Sequence, residues 1–122
     1  MTKMKIRQGF VSNSSTTSYM VIVDEKHYEK MLKKSNALTK AVMKSIACNC
    51  EEWNNNIILQ YISNEDSYYD WGQKQEGIEE ETGIKFSGDE YEVGEKCETA
   101  FTDFLRKLEK DDKKCKVISD HR

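Results

Sequence analysis

The chain has 122 residues, of which 37% are hydrophobic and 34% are charged, and its formal net charge is −3. This length predicts a single domain over residues 1–122, which includes a basic, hydroxyl-rich N-terminal segment over residues 1–18. The longest apolar run, residues 19–23, is too short to cross a bilayer, and no secretory signal follows the basic start. These features exclude a membrane-spanning protein and predict a cytoplasmic one.

Charge is distributed unevenly along the chain. Residues 1–47 carry nine Lys/Arg against three Asp/Glu, residues 48–104 carry three against fifteen, and residues 105–122 carry seven against four. An acidic middle between basic ends indicates either that the termini pack beside it or that it meets a basic partner. A solvated charged surface is the third interpretation.

The first predicted elements are a strand and a helix. Residues 19–23 are apolar at both alternations and predict a central strand covered on both faces. Asp24 then stands where a helix N-cap is expected, and residues 24–35 predict a helix with Tyr28, Met31 and Leu32 turned inward. Residues 35–50 predict a second amphipathic helix. Its inward positions are Leu38, Ala41, Val42, Ser45 and Ile46.

The rest of the chain predicts further short strands and one long helix. Residues 54–63 predict a strand, 68–73 a turn or short edge strand, 74–83 a helical turn ended by Gly83, and 84–93 one arm of a hairpin. Residues 95–111 predict a helix and 114–119 a last strand. The helix's apolar positions are Cys97, Phe101, Phe104, Leu105 and Leu108. The predicted class is α+β, or small α/β, with three to five short strands in one sheet covered by two or three helices.

A run of small polar residues directly precedes the first strand. It consists of Ser12, Asn13, Ser14, Ser15, Thr16, Thr17 and Ser18. Hydroxyls and backbone amides can bind a phosphate, but a strand rather than a helix follows and the lysine of a P-loop is missing. Three interpretations stay open: a connecting loop, a segment that is recognised or modified, and a small-anion site.

This segment resembles an N-terminal signature shared by many small bacterial and phage proteins, in which a basic residue or two precede Gly-Phe-Val-Ser-Asn-Ser-Ser, further serines, an aromatic residue and an apolar strand. The matching positions are Lys5, Arg7, Gly9, Phe10, Val11, Ser12, Asn13, Ser14, Ser15, Ser18 and Tyr19. Thr16 and Thr17 replace the usual serines, and Tyr19 replaces phenylalanine. The resemblance implies a bacterial or phage origin, but no catalytic residue.

The four cysteines allow two interpretations. Cys48, Cys50, Cys97 and Cys115 could supply thiolate ligands for zinc, although a single residue between paired ligands is an unusual spacing. Cys97 lies on the apolar stripe of its predicted helix. We therefore favour buried thiols that act as small core residues, and we expect no metal and no cofactor.

An aromatic cluster lies within the acidic middle. Tyr68, Tyr69 and Trp71 could stack on bases or anchor a protein interface, or they could pack in the core. The neighbouring carboxylates Glu65 and Asp66 would repel phosphates, which argues against nucleic acid as the partner.

These patterns predict a small, non-catalytic intracellular binding or accessory protein that contacts another protein through the aromatic cluster, residues 12–18, or both. A phage protein that acts on a host factor, in the host cytoplasm, fits this description by analogy. The alternative is an enzyme or sensor that binds a phosphate-containing small molecule at residues 12–18. The patterns leave the oligomeric state open.

Overall fold

The computed structural model describes residues 16–47 and 51–121. They form four strands and five helices, which confirms the predicted α+β class. The strands are β1 (Thr17–Asp24), β2 (Glu51–Trp53), β3 (Asn56–Ser63) and β4 (Cys115–His121). The helices are α1 (Glu25–Lys33), α2 (Ala37–Ala47), α3 (Glu65–Gln73), α4 (Gln75–Thr82) and α5 (Glu90–Glu109).

The strands form one antiparallel sheet in the order β2-β3-β1-β4. The predicted central strand is confirmed, because Val21 of β1 lies opposite Leu59 of β3 on one side and Val117 of β4 on the other. Strand β2 was not predicted. It joins β3 through Asn54 and Asn55, whose φ angles of 50° and 65° are those of a tight hairpin turn in which both central residues are left-handed.

The helices cover one face of this sheet. Val21 and Val23 of β1 are buried in the hydrophobic core, whereas Met20, which points to the other face, is 37% exposed. On that outer face Ile62 of β3 and Ile118 of β4 are also exposed. The prediction that β1 is covered on both faces is therefore wrong for the described residues, since apolar alternation shows which residues share a face but not whether a second layer covers it.

Side-chain caps begin α1 and α2 where the sequence predicted them. Asp24 accepts a hydrogen bond from the backbone N–H of His27 at 3.0 Å and starts α1, and Asn36 accepts one from Thr39 at 2.8 Å and starts α2. Gly83 ends α4 with a φ of 77°, a left-handed conformation that glycine adopts without strain.

The segment between β3 and α5 differs from the prediction. Residues 68–73, predicted as a turn or edge strand, belong to α3, which starts with a reciprocal cap between Asn64 and Ser67. Residues 84–93 form no hairpin arm, because α5 already begins at Glu90 after its cap Asp89. Helices thus outnumber the two or three that the sequence predicted.

The core lies between the inner face of the sheet and α5. All five predicted apolar positions of this helix, Cys97, Phe101, Phe104, Leu105 and Leu108, are at most 3% exposed. Burying a phenylalanine side chain stabilises a fold by roughly 2–3 kcal/mol, so Phe101 and Phe104 are major contributors. In the described part of the chain, no helix combines the length and apolar character that a membrane span requires.

Candidate binding surface

Two glycines bring α3 and α5 into backbone contact. A Cβ on Gly72 of α3 would collide with the backbone of Glu90, and a Cβ on Gly94 of α5 would collide with the backbone of Tyr68. Only glycine permits so close an approach between two helices. The two helices therefore carry their outward-facing side chains side by side.

Three tyrosines meet on the outer side of this contact, and we call Tyr68, Tyr69 and Tyr91 the tyrosine patch. The Tyr68 and Tyr91 rings stack with centroids 5.0 Å apart and planes at 28°. The Tyr69 ring lies 5.7 Å from that of Tyr91. Tyr69 and Tyr91 are 41% and 40% exposed. The patch thus presents aromatic surface to solvent in a fixed arrangement.

Acidic residues flank the tyrosines along α3 and α5. Those on α3 and α5 nearest in sequence to the tyrosines are Glu65, Asp66, Asp70, Glu90, Glu92 and Glu95. The ion pairs of the described residues lie elsewhere and engage none of these six. The pKa of Tyr68 is raised, first by burial and then by the nearby carboxylate of Glu98. The helices that carry the patch are thus rich in carboxylates, a composition that favours a cationic partner.

A groove of about 810 Å³ adjoins the tyrosine patch. Tyr68 and Glu95 line it at the patch, and the turn between α1 and α2 lines it together with more of α5. Leu38 and Phe104 contribute apolar surface, so the groove offers room for a segment of another chain to continue beyond the patch.

The structure separates Trp71 from the two tyrosines with which it was grouped. Trp71 is only 4% exposed, and its Nε1 donates hydrogen bonds to the hydroxyl of Tyr61 at 2.8 Å and to Oε2 of Glu98 at 3.1 Å. Trp71 therefore packs in the core and lies apart from the exposed tyrosine rings, and the prediction that it binds a partner stays a prediction. The core-packing interpretation holds for this residue alone.

Glu98 is the residue that sequence reasoning missed. It is 3% exposed, and it accepts hydrogen bonds from the hydroxyl of Tyr61, from Ser63 at 2.6 Å, and from the indole of Trp71. The hydroxyl of Ser67 lies 3.1 Å away, shared with the carbonyl of Asn64. The available signal was a carboxylate on the apolar stripe of α5, three residues before Phe101.

The hydrogen-bonded group around Glu98, which we call the Glu98 cluster, fixes the site. Donors from β3 and α3 converge on both carboxylate oxygens, with Ser63 on Oε1 and with Tyr61 and Trp71 on Oε2. Burial and the hydrogen bond to Glu98 raise the pKa of Tyr61 far above its ordinary value, so this phenol stays protonated and donating. The cluster therefore anchors α3 to β3 and α5 beneath the tyrosine patch.

The hydroxyl-rich segment is only partly within the described residues. Ser12, Asn13, Ser14 and Ser15 lie outside them, as do Cys48 and Cys50. Thr16 immediately precedes β1, and Thr17 and Ser18 are the first residues of that strand. The hydroxyl of Thr17 lies 2.8 Å from Nδ1 of His121. These two residues therefore belong to the sheet and not to a connecting loop.

Cys97 and Cys115 are separate core residues. Both thiols are buried, and burial raises the pKa of each to about 11. Within residues 16–47 and 51–121, no three His, Cys, Asp or Glu side chains lie close enough together to bind a metal ion. The core interpretation of these two cysteines agrees with their burial, and a zinc site that includes Cys48 and Cys50 stays untested.

Comparison with known proteins adds no relative. No protein-family model matches the chain, and neither a curated protein nor a solved structure is significantly similar to it. The resemblance of residues 5–19 to the bacterial and phage signature therefore stays a prediction.

Proposed function

We propose that this protein is a non-catalytic binding protein that acts by contact with another protein, and that the tyrosine patch is its contact surface. The observation that supports this proposal is the stacked Tyr68–Tyr91 pair, with Tyr69 beside it, on two helices whose carboxylates near these tyrosines in sequence form no ion pair in the described residues. Tyrosine is enriched in protein interfaces because it supplies a large, rigid surface with a polar tip.

The chemistry of the patch favours a partner segment that carries arginine. A guanidinium group stacks on the face of a tyrosine ring and also donates paired hydrogen bonds to a carboxylate. Tyr69 and Tyr91 provide exposed rings, and Asp70 and Glu90 lie next to them in sequence. Nucleic acid is a poor candidate, because the six carboxylates near the tyrosines in sequence would repel phosphates.

The origin of the partner follows from the proposed origin of the protein. If residues 5–19 carry the bacterial and phage signature that they resemble, the partner is a protein of the same cytoplasm. For a phage product this is a host factor.

The alternative function, an enzyme or sensor for a phosphate-containing small molecule, has less support. Four of the seven residues in its proposed site, Ser12 to Ser15, lie outside the described part, and the hydroxyl of Thr17 is engaged by His121. A thermal shift caused by nucleotides or phosphate, and abolished by Ser14→Ala and Ser15→Ala, would favour this alternative.

A titration followed by NMR tests the proposed surface with defined probes. We expect an oligo-arginine peptide to shift the backbone resonances around Tyr69 and Tyr91, and an oligo-glutamate peptide to leave them unchanged. The Tyr69→Ser/Tyr91→Ser variant should bind the arginine peptide about tenfold more weakly, from the loss of two cation–π contacts. An unchanged affinity in this variant, or shifts confined to other residues, would contradict the assignment.

A further inference from the structure

Strand β4 is an unprotected sheet edge in the described part of the chain. It pairs with β1 along one side, and no other described strand lies along its second side. It is seven residues long, whereas the opposite edge, β2, has only three residues. A long exposed edge strand offers a row of backbone donors and acceptors to a second strand.

The side chains of β4 form a symmetric pattern about Ile118. Lys116, Ile118 and Asp120 share the outer face of the sheet, because alternate residues of a strand point the same way and Ile118 lies opposite Met20 in β1. A positive charge and a negative charge thus stand two residues on either side of an exposed isoleucine. Such a pattern is complementary to itself when the strand is reversed.

We infer that β4 pairs antiparallel with β4 of a second copy of this chain, with the two-fold axis at Ile118. In this register Lys116 lies opposite Asp120 of the second copy, and the reverse pair forms symmetrically. The two Ile118 side chains lie opposite each other, where directly opposed Cβ atoms are about 4.5–5.5 Å apart. An isologous interface requires this self-complementarity, and two-fold dimers are the commonest oligomers.

The two neighbouring registers give poorer pairing of opposite charges and of apolar side chains. An axis at Val117 would place Lys116 opposite Ile118 and would bring Asp120 opposite Lys114, which lies outside the strand. An axis at Ser119 would place Ile118 opposite Asp120. Only registers with the two-fold axis at a residue are possible. Along each strand, residues whose backbone N–H and C=O groups point outward alternate with residues whose groups point inward, and in an antiparallel pair residues of the same kind lie opposite each other.

The pairing would join two four-stranded sheets into one continuous eight-stranded sheet. The exposed Ile118 and Met20 of each copy would then form one apolar stripe across the junction. None of the three residues of the tyrosine patch lies in β4, so the inference does not depend on the proposed function.

Sedimentation velocity with charge-reversed variants tests the inference. We expect the wild type to dimerise with a Kd in the micromolar range, as an interface of modest size allows. Lys116→Glu and Asp120→Lys should each weaken self-association about tenfold, because each places two like-charged pairs opposite each other. An equimolar mixture of the two variants should restore the dimer, since each variant then faces its complement. Lys113→Glu, outside the strand, is the control and should dimerise like the wild type.

Cysteine cross-linking tests the position of the axis. Ile118→Cys should give a disulfide-linked dimer under mild oxidation, whereas Ile62→Cys, on the same face but in the internal strand β3, should stay uncross-linked. Circular dichroism of each variant confirms that it is folded. A wild type that is monomeric at all concentrations would overturn the inference. A dimer that ignores both charge reversals would overturn it equally.

Discussion

The indole nitrogen of Trp71 lies 3.1 Å from a carboxylate oxygen of Glu98, and both side chains are buried. This contact ties α3 to the centre of α5. The same carboxylate accepts hydrogen bonds from Tyr61 and Ser63 of β3, so three elements meet at one charged group. The tyrosine patch lies on the two helices that this group holds together.

Removal of the Glu98 carboxylate should destabilise the fold strongly. Glu98→Ala leaves the donors of Tyr61, Ser63 and Trp71 buried without an acceptor, and we expect a loss of about 3 kcal/mol in the free energy of unfolding. Urea denaturation measures this loss. Glu95→Ala, an exposed position on the same helix, is the matched control and should change stability by less than about 0.5 kcal/mol. Equal effects at the two positions would contradict the anchoring role.

The glycine contact between α3 and α5 should tolerate no side chain. Gly94→Ala places a Cβ against the backbone of Tyr68, which cannot move aside as a flexible side chain can, so we expect a loss of about 2–3 kcal/mol. Gly77→Ala in α4 meets no atom within 4 Å and should instead gain about 0.5–1 kcal/mol from the lower entropy of the unfolded chain. Thermal unfolding of the two variants should therefore shift in opposite directions.

Truncation of Trp71 should lower the stability of the fold far more than truncation of Tyr69. Trp71→Ala creates a cavity in the core and should cost about 3–5 kcal/mol of stability. Tyr69→Ala removes a partly exposed ring and should cost less than about 1 kcal/mol. Chemical denaturation distinguishes the two outcomes. A Trp71→Ala variant as stable as the wild type would contradict the burial of this ring.

Stability should fall as the pH rises above about 9. The pKa values of Cys97 and Cys115 are raised from 9.0 to about 11 in the folded state, so the unfolded chain loses these protons first and deprotonation favours unfolding. At pH 10 each thiol should reduce the free energy of unfolding by about 1 kcal/mol, and below pH 8 neither should have an effect. Urea midpoints between pH 7 and 10.5 measure this loss. In a Cys97→Ala/Cys115→Ala variant the decline between pH 9 and 10 should be shallower, and a decline equal to that of the wild type would contradict the assignment to the thiols.

Local signals in the sequence predicted the helices that have a capping residue or a regular apolar spacing. Asp24 caps α1 as expected, and the apolar spacing from Cys97 to Leu108 identified the buried face of α5. Helix α3 was missed because Tyr68, Tyr69 and Trp71 are aromatic residues that favour strands. The signal for this helix was the cap formed by Asn64 and Ser67, which outweighs the weak propensity of the aromatic residues.

The candidate site could be predicted only in part, because its members come from distant positions. Tyr68 and Tyr69 are adjacent in sequence and were identified, but Tyr91 joins them only through the packing of α3 on α5. Periodicity also could not show that Glu98 is buried, since a carboxylate at an inward position is ordinarily a solvated residue. Contacts between elements decide both points, and a single sequence does not encode them in any local pattern.

The most direct test of the tyrosine patch is quantitative mass spectrometry of the proteins that co-purify with the tagged chain from its native cells. Three baits are compared: the wild type, Tyr69→Ser/Tyr91→Ser, and Ile62→Ser, which alters an exposed apolar residue on the outer face of the sheet. We predict one stoichiometric protein partner that the wild type and Ile62→Ser retain and the double variant loses. Equal capture by the double variant and the wild type, or no stoichiometric partner with any bait, would contradict the proposal.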